Sequence, residues 1–378
     1  VLVCNHENVP GELRAGPWGP ELERLDTVPA RLVYDYGNGR SPGNGGTTTI
    51  VYDPRSRSVV RRNLSLAGTE LNCSGGPTPW GSWLSCEECF EDPGTELANG
   101  KVVSRVQRHG YVFEVPSDAE GLVEPVPLKA MGRFEHEATA VSAATGIVYM
   151  TEDRHRSLFY RFLPKTPGRL ADGGRLQALA FKGSQGFDTR NWNDSERVVL
   201  RREYETLWVD LDDVDSNSND LRLRGREKGA AIFARGEGAC VMDNQVAFAC
   251  TIGGPDRLGQ IFVYTPGPYE GQAGEDGHPG KLQLLAQSTQ QSLLRNADNL
   301  VMSPWGDLIV CEDTADHCGL VGIRQDGSQY LIADNAYSSS ELAGVCFSPD
   351  GSTMFVNVQY PGKTLAITGP WPDLYRKA

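Results

Sequence analysis

One unit recurs along the chain: an apolar strand, a tight turn, and a second apolar strand that ends on an acidic or polar residue. Its clearest copies are EATAVSAATGIVYMTED (137–153), DNLVMSPWGDLIVCED (298–313) and AGVCFSPDGSTMFVNV (343–358). EGACVMDNQVAFACT (237–251) is a fourth, with Asp243 and Asn244 at its turn. The turns Ala-Thr-Gly, Pro-Trp-Gly and Pro-Asp-Gly suit hairpin geometry. A third strand follows each hairpin, as in SLFYRF (157–162), GQIFVY (259–264) and GLVGIR (319–324). A fourth comes next, as in LQALAF (176–181), LQLLAQ (282–287) and QYLIAD (329–334). Four antiparallel strands per unit make the blade of a β-propeller. SWLSCEE (82–88) with GYVFEV (110–115), and LVCNHE (2–7) with TTTIVYD (47–53) and SVVRRN (58–63), add two more units. The expectation is an all-β, six-bladed β-propeller forming a single domain over residues 1–378. A long insertion at about 183–236 carries a short helix near GREKGAAIF.

Composition agrees with many short strands. Gly (43) and Pro (23) supply the turns, and 39% hydrophobic residues suffice for a sizeable core. The net charge of −13 argues against nucleic acid or an anionic membrane surface as a partner, since both need a positive face. No run of 18 apolar residues exists, so no spanning helix and no membrane insertion are expected. Nine scattered cysteines include one close pair, CEEC at 86–89, with no second pair to complete a zinc ribbon. A monomer is expected. The first unit lacks an innermost strand before LVCNHE and the last lacks a fourth strand, so the native product is expected to extend upstream of Val1.

The repeat also aligns chemistry. First strands open on Glu137, Glu237, Asp298 and, in the last copy, Ala343; second strands end on Glu152, Thr251, Glu312 and Asn357. In an antiparallel hairpin those two positions lie at the same end, so the acids are expected to ring the mouth of an axial channel. Glu7 and Glu87 occupy comparable strand ends. Clustered carboxylates raise one another's pKa unless cations compensate them, and their hard oxygens suit Ca²⁺ or Fe³⁺. Cys250 and Cys311 end apolar strands and read as small buried hydrophobes, whereas Cys86 precedes two glutamates, where a thiolate needs a cation. Arg235, two residues before Glu237, brings a guanidinium to the same end, either as a grip for phosphate oxygens or as a salt bridge to a ring acid. His6 and His136 each precede a ring glutamate and read as residues that orient a neighbour; His109 gives no signal.

Taken together, TPWGSWLSCEE (78–88), GRFEHEA (132–138), YMTEDR (149–154), FARGEG (233–238), ADNLVMSPWGDLIVCED (297–313) and AGVCFSPDGSTMFVNVQYPG (343–362) resemble the PhoX-type alkaline phosphatases. NHE (5–7) and AITGPW (366–371) match as well, so the likeness runs in order from end to end. It implies a six-bladed propeller with a cluster of Fe³⁺ and Ca²⁺ and a bridging oxygen at the channel mouth. It further implies that Cys86 binds iron, that Arg235 contacts phosphate, and that Glu237, Glu137 and other ring acids serve the cluster. The expected metal ligands are therefore Glu7, Cys86, Glu87, Glu137, Glu152, Glu237, Asp298 and Glu312. Which of Glu87 and Glu88 faces the metals stays open. An exported, periplasmic or secreted enzyme is implied.

The expected activity is phosphomonoester hydrolysis on a small-molecule ester, with a metal-activated oxide or hydroxide as nucleophile and Arg235 neutralising charge on the phosphoryl oxygens. No Ser-His-Asp pattern is evident. A calcium-dependent six-bladed propeller lactonase is the alternative, needing a single calcium and no thiolate. A non-catalytic propeller that binds a partner through one face, with metals as struts, is the third reading.

Overall fold

β-Branched and aromatic residues alternate with glycine- and proline-rich turns, and the chain accordingly folds almost wholly into short antiparallel strands. The computed structural model describes residues 1–12, 16–98, 100–193 and 197–371, so residues 194–196 of the expected insertion lie outside the described residues. The chain divides into two compact units. One comprises Val1–Glu152, Arg161–Gln177 and Asp210–Arg224, the other Asp153–Tyr160, Ala178–Val209 and Gly225–Ala378.

In chain order the first strands are β1 (Leu2–Asn5), β2 (Gly46–Asp53) and β3 (Ser58–Ala67), which pair consecutively. Next come β4 (Asn72–Pro77), β5 (Ser82–Glu87), the separate hairpin β6 (Gly94–Ala98) and β7 (Lys101–Arg105), and β8 (Val112–Pro116), with β4, β5 and β8 forming one sheet. Then β9 (His136–Val141), β10 (Val148–Glu152), β11 (Tyr160–Pro164) and β12 (Gly174–Phe181) run as a four-stranded meander. In the second unit, β13 (Glu203–Asp210) lies outside a meander of β14 (Gly236–Met242), β15 (Gln245–Cys250), β16 (Gln260–Thr265) and β17 (Lys281–Gln287). A further meander follows, of β18 (Ala297–Met302), β19 (Leu308–Glu312), β20 (Gly319–Ile323) and β21 (Gln329–Asp334). The last sheet is β22 (Leu342–Phe347), β23 (Thr353–Val358) and β24 (Lys363–Thr368).

The repeated hairpins expected from the sequence are thus present, in an all-β fold of the propeller class. Two expectations shift. The third strand near SLFYRF starts at Tyr160, three residues late, because Ser157 makes an isolated bridge to Phe233 instead. The short helix expected around GREKGAAIF spans Leu221–Glu227, so it starts four residues earlier and covers only the first three residues of that stretch. Each unit buries its own core. In the first, Leu66, Tyr111, Phe113 and Val115 cluster together. In the second, Phe159 stacks on Phe248 at 4.1 Å, and Phe233 and Phe262 pack around Phe248.

Four hairpins share one irregularity. Between Asn72 and Gly75, β4 uses three steps where β5 uses two, from Glu87 to Ser85. The same mismatch separates His136 from Thr139 in β9, Gly236 from Ala239 in β14, and Ala297 from Leu300 in β18. Each is a β-bulge, which re-aims the residues inside it. The first residue in the four bulges is Cys73, Glu137, Glu237 and Asp298. The bulge in the last hairpin lies between Ala343 and Cys346 and carries no ligand-type side chain.

Bulged strands also approach one another closely. A Cβ on Gly76 in β4 would lie 2.0 Å from the Thr139 carbonyl oxygen of β9, and one on Gly238 in β14 would lie 2.7 Å from the Asn299 Cα of β18. Backbone stands in the way at both positions, so only glycine fits. Gly76→Ala should cost about 1–3 kcal/mol, the usual penalty for overpacking. Gly94→Ala, where an added methyl meets nothing within 4 Å, should change stability by no more than about 0.5 kcal/mol. Urea denaturation midpoints of the two variants check this; equal midpoints would show that β4 and β9 can part freely.

Candidate functional site

In the first unit the bulge in β4 turns Cys73 toward β9. Cys73, Glu88 and Glu137 each offer one ligand atom, and the three atoms lie within 4.8 Å of one another. The Cys73 sulfur sits 3.3 Å from the His136 carbonyl oxygen and 3.8 Å from that of Glu137. Burial raises the Cys73 thiol well above its ordinary pKa, and the charges of Glu137, Glu88, Cys86 and Glu7 raise it further. A thiolate here therefore requires a cation beside it. Cys86, expected as the iron ligand, is not in this group. That thiol lies in β5 opposite Val112, fully buried, and belongs to no group of three metal-ligating side chains among the described residues. Of the two glutamates that follow it, Glu88 is the one in the group with Cys73 and Glu137. Glu7 is exposed beyond the end of β1 and reaches Cys73 through its charge. Glu152 is buried at the end of β10, opposite His136, with the Arg222 Nη1 at 3.9 Å.

In the second unit Glu237 and Asp298, from adjacent bulges, bring carboxylate oxygens within 4.8 Å of each other. Arg235 stands just before β14 with a left-handed backbone, φ 54°, which non-glycine residues adopt at a cost. Its amide donates to the Arg154 carbonyl at 2.9 Å, and its own carbonyl accepts from the Thr251 amide at 3.0 Å. Asp153 grips the guanidinium with two bonds, Nε–Oδ1 and Nη2–Oδ2, both 2.6 Å, and Glu237 Oε1 lies 3.3 Å from Nη2. The side chain remains about one-third exposed. The sequence suggested a salt bridge to a ring acid, and one is present, but its principal partner Asp153 went unrecognised. The available signal was the second acid of TED, which the repeat did not align.

The acids that end the second strands do different work. Glu87 accepts from the amides of Glu70 (3.0 Å), Gly110 (2.8 Å) and Tyr111 (3.1 Å) and from His109 Nδ1 (2.7 Å). Glu312 accepts from the amides of Arg295 (2.7 Å) and Gly319 (3.0 Å). Each acid ties the residue 17 positions earlier to the start of the next strand. Glu87 and Glu312, both expected as metal ligands, brace the fold in this structure, where their oxygens meet backbone donors that would otherwise go unpaired. His109, silent in the sequence, completes the first brace by bridging Glu87 to Asp35 through Nε2 at 3.2 Å. Burial alone would keep this imidazole neutral. The Glu87 charge, hydrogen bonds to Asp35 and Glu87, and the Glu70 charge outweigh it and raise the pKa to about 10. His136 and His6 behave oppositely: burial lowers them to about 3 and about 4, and they bond the Gly132 carbonyl and the Thr48 hydroxyl. Because His109 is raised above its unfolded value of about 6.5, its contribution is complete below that pH and vanishes as pH climbs through about 10. The stability difference between wild type and His109→Gln should therefore be largest near pH 6 and shrink toward pH 10.5. Urea titrations across that range test this, and a pH-independent difference would mean His109 is neutral in the fold.

The family model described as alkaline phosphatase PhoX matches residues 37–362. Among solved structures, PhoX of Pseudomonas fluorescens in complex with vanadate, a transition state analogue, superposes with a TM-score of 0.61 at 20% identity, covering 82% of this chain and 71% of that one. Two weaker likenesses are a protein from Lactobacillus plantarum (TM-score 0.39, 14% identity, covering 86% and 76%) and the gluconolactonase XC5397 of Xanthomonas campestris (TM-score 0.41, 13% identity, covering 85% and 86%). No curated protein matches the sequence. The family match spans most of the chain and includes every bulge residue described above, and the chain belongs to the PhoX family of alkaline phosphatases.

Proposed function

We propose that this protein hydrolyses phosphomonoesters with the help of bound Fe³⁺ and Ca²⁺. The observation that carries this reading is the recurrent bulge, which delivers Cys73, Glu137, Glu237 and Asp298 from equivalent places in four hairpins. The donor set fits metal ions. Cys73 is a thiol whose surroundings are uniformly negative, so its deprotonated form is stable only against a strong cation. With Glu88 and Glu137 it would hold the iron, and the carboxylates of Glu237 and Asp298 suit calcium. When bound, such ions supply positive charge to phosphate oxygens and lower the pKa of water enough for attack near neutral pH.

The chain's own contribution is orientation and charge. Arg235 keeps its guanidinium ionised at every working pH, and Asp153 fixes the plane of its fork. A guanidinium held in advance stabilises charge on the phosphoryl oxygens without reorganising at the moment of reaction. Asp153 is thus a positioning residue for Arg235. The substrate is a small phosphate ester. No described helix is long and apolar enough to cross a membrane, and export to the periplasm or outside the cell is our reading of where the enzyme works.

Metal analysis of the purified protein tests the ligand assignment. Cys73→Ser should lose iron, lose the visible absorption of an iron thiolate, and lose hydrolysis of 4-nitrophenyl phosphate. Cys86→Ser should retain all three. The reverse pattern would return the iron to Cys86, and full activity after exhaustive iron removal would discard the iron altogether.

Arg235→Ala should lower kcat on the order of a hundredfold, the cost typical of losing one preorganised charge stabiliser, with metal content unchanged. Activity within twofold of wild type would make Arg235 a salt-bridge residue only.

A further inference from the structure

In the same unit as Arg235, three segments meet at one indole. Trp192 has the Arg190 guanidinium 4.1 Å and the Arg257 guanidinium 4.5 Å from its ring centre, and His155 approaches edge-on at 6.3 Å. Its own N–H donates to the Ile252 carbonyl at 2.8 Å. Each support leads back to the phosphate clamp. His155 is two residues from Asp153, the partner of Arg235, so their backbones are at most about 7 Å apart. Ile252 follows Thr251, whose amide bonds the Arg235 carbonyl. Arg190 donates to the His155 carbonyl at 3.2 Å, and its carbonyl accepts from the Gly254 amide at 2.8 Å.

The two arginines differ in kind. Arg190 is buried and neutralised by Asp188, through Nε–Oδ1 at 2.7 Å and Nη2–Oδ2 at 2.5 Å. It serves as the fixed floor against which Trp192 is set. Arg257 is exposed, and among the described residues it has no carboxylate partner. Its neighbour Asp256 accepts from the Gln290 amide at 3.2 Å. Arg257 also has a left-handed backbone, φ 56°, like Arg235 at φ 54°. A strained residue persists only where its surroundings hold it, and such strain gathers at ligand clamps. In a protein of net charge −13, a cation without a carboxylate partner, stacked on an aromatic ring, offers a local attraction for an anion.

We infer that Arg257, stacked on Trp192, forms a second anion subsite that selects phosphate esters whose alcohol half carries a further negative group, such as a second phosphate. This rests on the phosphatase reading and adds its substrate class. Stacking pre-orients the Arg257 fork, so less freedom is lost when it engages an anion. The scissile phosphate lies at Arg235 and the second anion lies at Arg257.

A matched pair of substrates tests it: glucose 1-phosphate and glucose 1,6-bisphosphate, assayed on the metal-loaded wild type and on Arg257→Ala and Arg257→Lys. Wild type should favour the bisphosphate about tenfold in kcat/KM, through KM. Arg257→Ala should erase that preference while changing kcat/KM for glucose 1-phosphate by less than twofold, and Arg257→Lys should restore part of it. Equal losses on both substrates, or an undiminished preference in Arg257→Ala, would overturn the subsite. If wild type hydrolyses neither ester, the phosphatase reading falls. Calorimetric binding of the bisphosphate then decides the subsite: Arg257→Ala must weaken it about tenfold, and unchanged binding overturns it.

Discussion

The extra residue in the opening strand of four hairpins is the constraint on which the rest depends. A regular strand points alternate side chains to opposite faces, and much of these strands is buried. A bulge breaks that alternation at one point and frees one side chain from packing. Cys73, Glu137, Glu237 and Asp298 all sit at such points. The close backbone approach at Gly76 and Gly238 is the complement of this arrangement, because strands that project functional groups this way have no room between them for a second Cβ.

Carboxylates in equivalent-looking places then divide into two roles. Glu88, Glu137, Glu237 and Asp298 gather with other ligand-type groups. Glu87 and Glu312 turn to backbone amides and close the hairpins onto the strand that follows. Adjacent residues in CEE therefore serve opposite purposes, since successive side chains near a strand end face opposite ways. The ionised His109 is intelligible on the same terms: a fully buried Glu87 and a nearly buried Asp35 place two negative charges in one interior, and a proton on the imidazole between them compensates part of that cost.

Much of this was legible in the chain. Periodicity and turn residues gave the hairpins, and their repetition gave the all-β class. The alignment of Glu137, Glu237 and Asp298 marked the strand openings where the bulges lie. Cys73 escaped notice because NCSGGP contains little that reads as a strand; its Gly76 is there for the close approach to Thr139, which only the folded chain reveals. Cys86 and Glu87 attracted attention because they end an apolar run, but facing is decided by register, and a bulge alters register without leaving a mark in composition. Asp153 and His109 were invisible for a simpler reason. Their partners Arg235 and Asp35 lie 82 and 74 residues away in sequence.

Hanging reactive groups on bulges separates two kinds of variation over evolutionary time. Residues that pack the sheets cannot change without disturbing their neighbours, but a side chain lifted out of the alternation contributes little to packing. Sulfur and oxygen donors already occupy the same structural slot within this one chain, as Cys73, Glu137, Glu237 and Asp298 show. A lineage with this scaffold can exchange one donor for another, and with it the identity of the ion and the reaction, while the surrounding architecture is inherited intact.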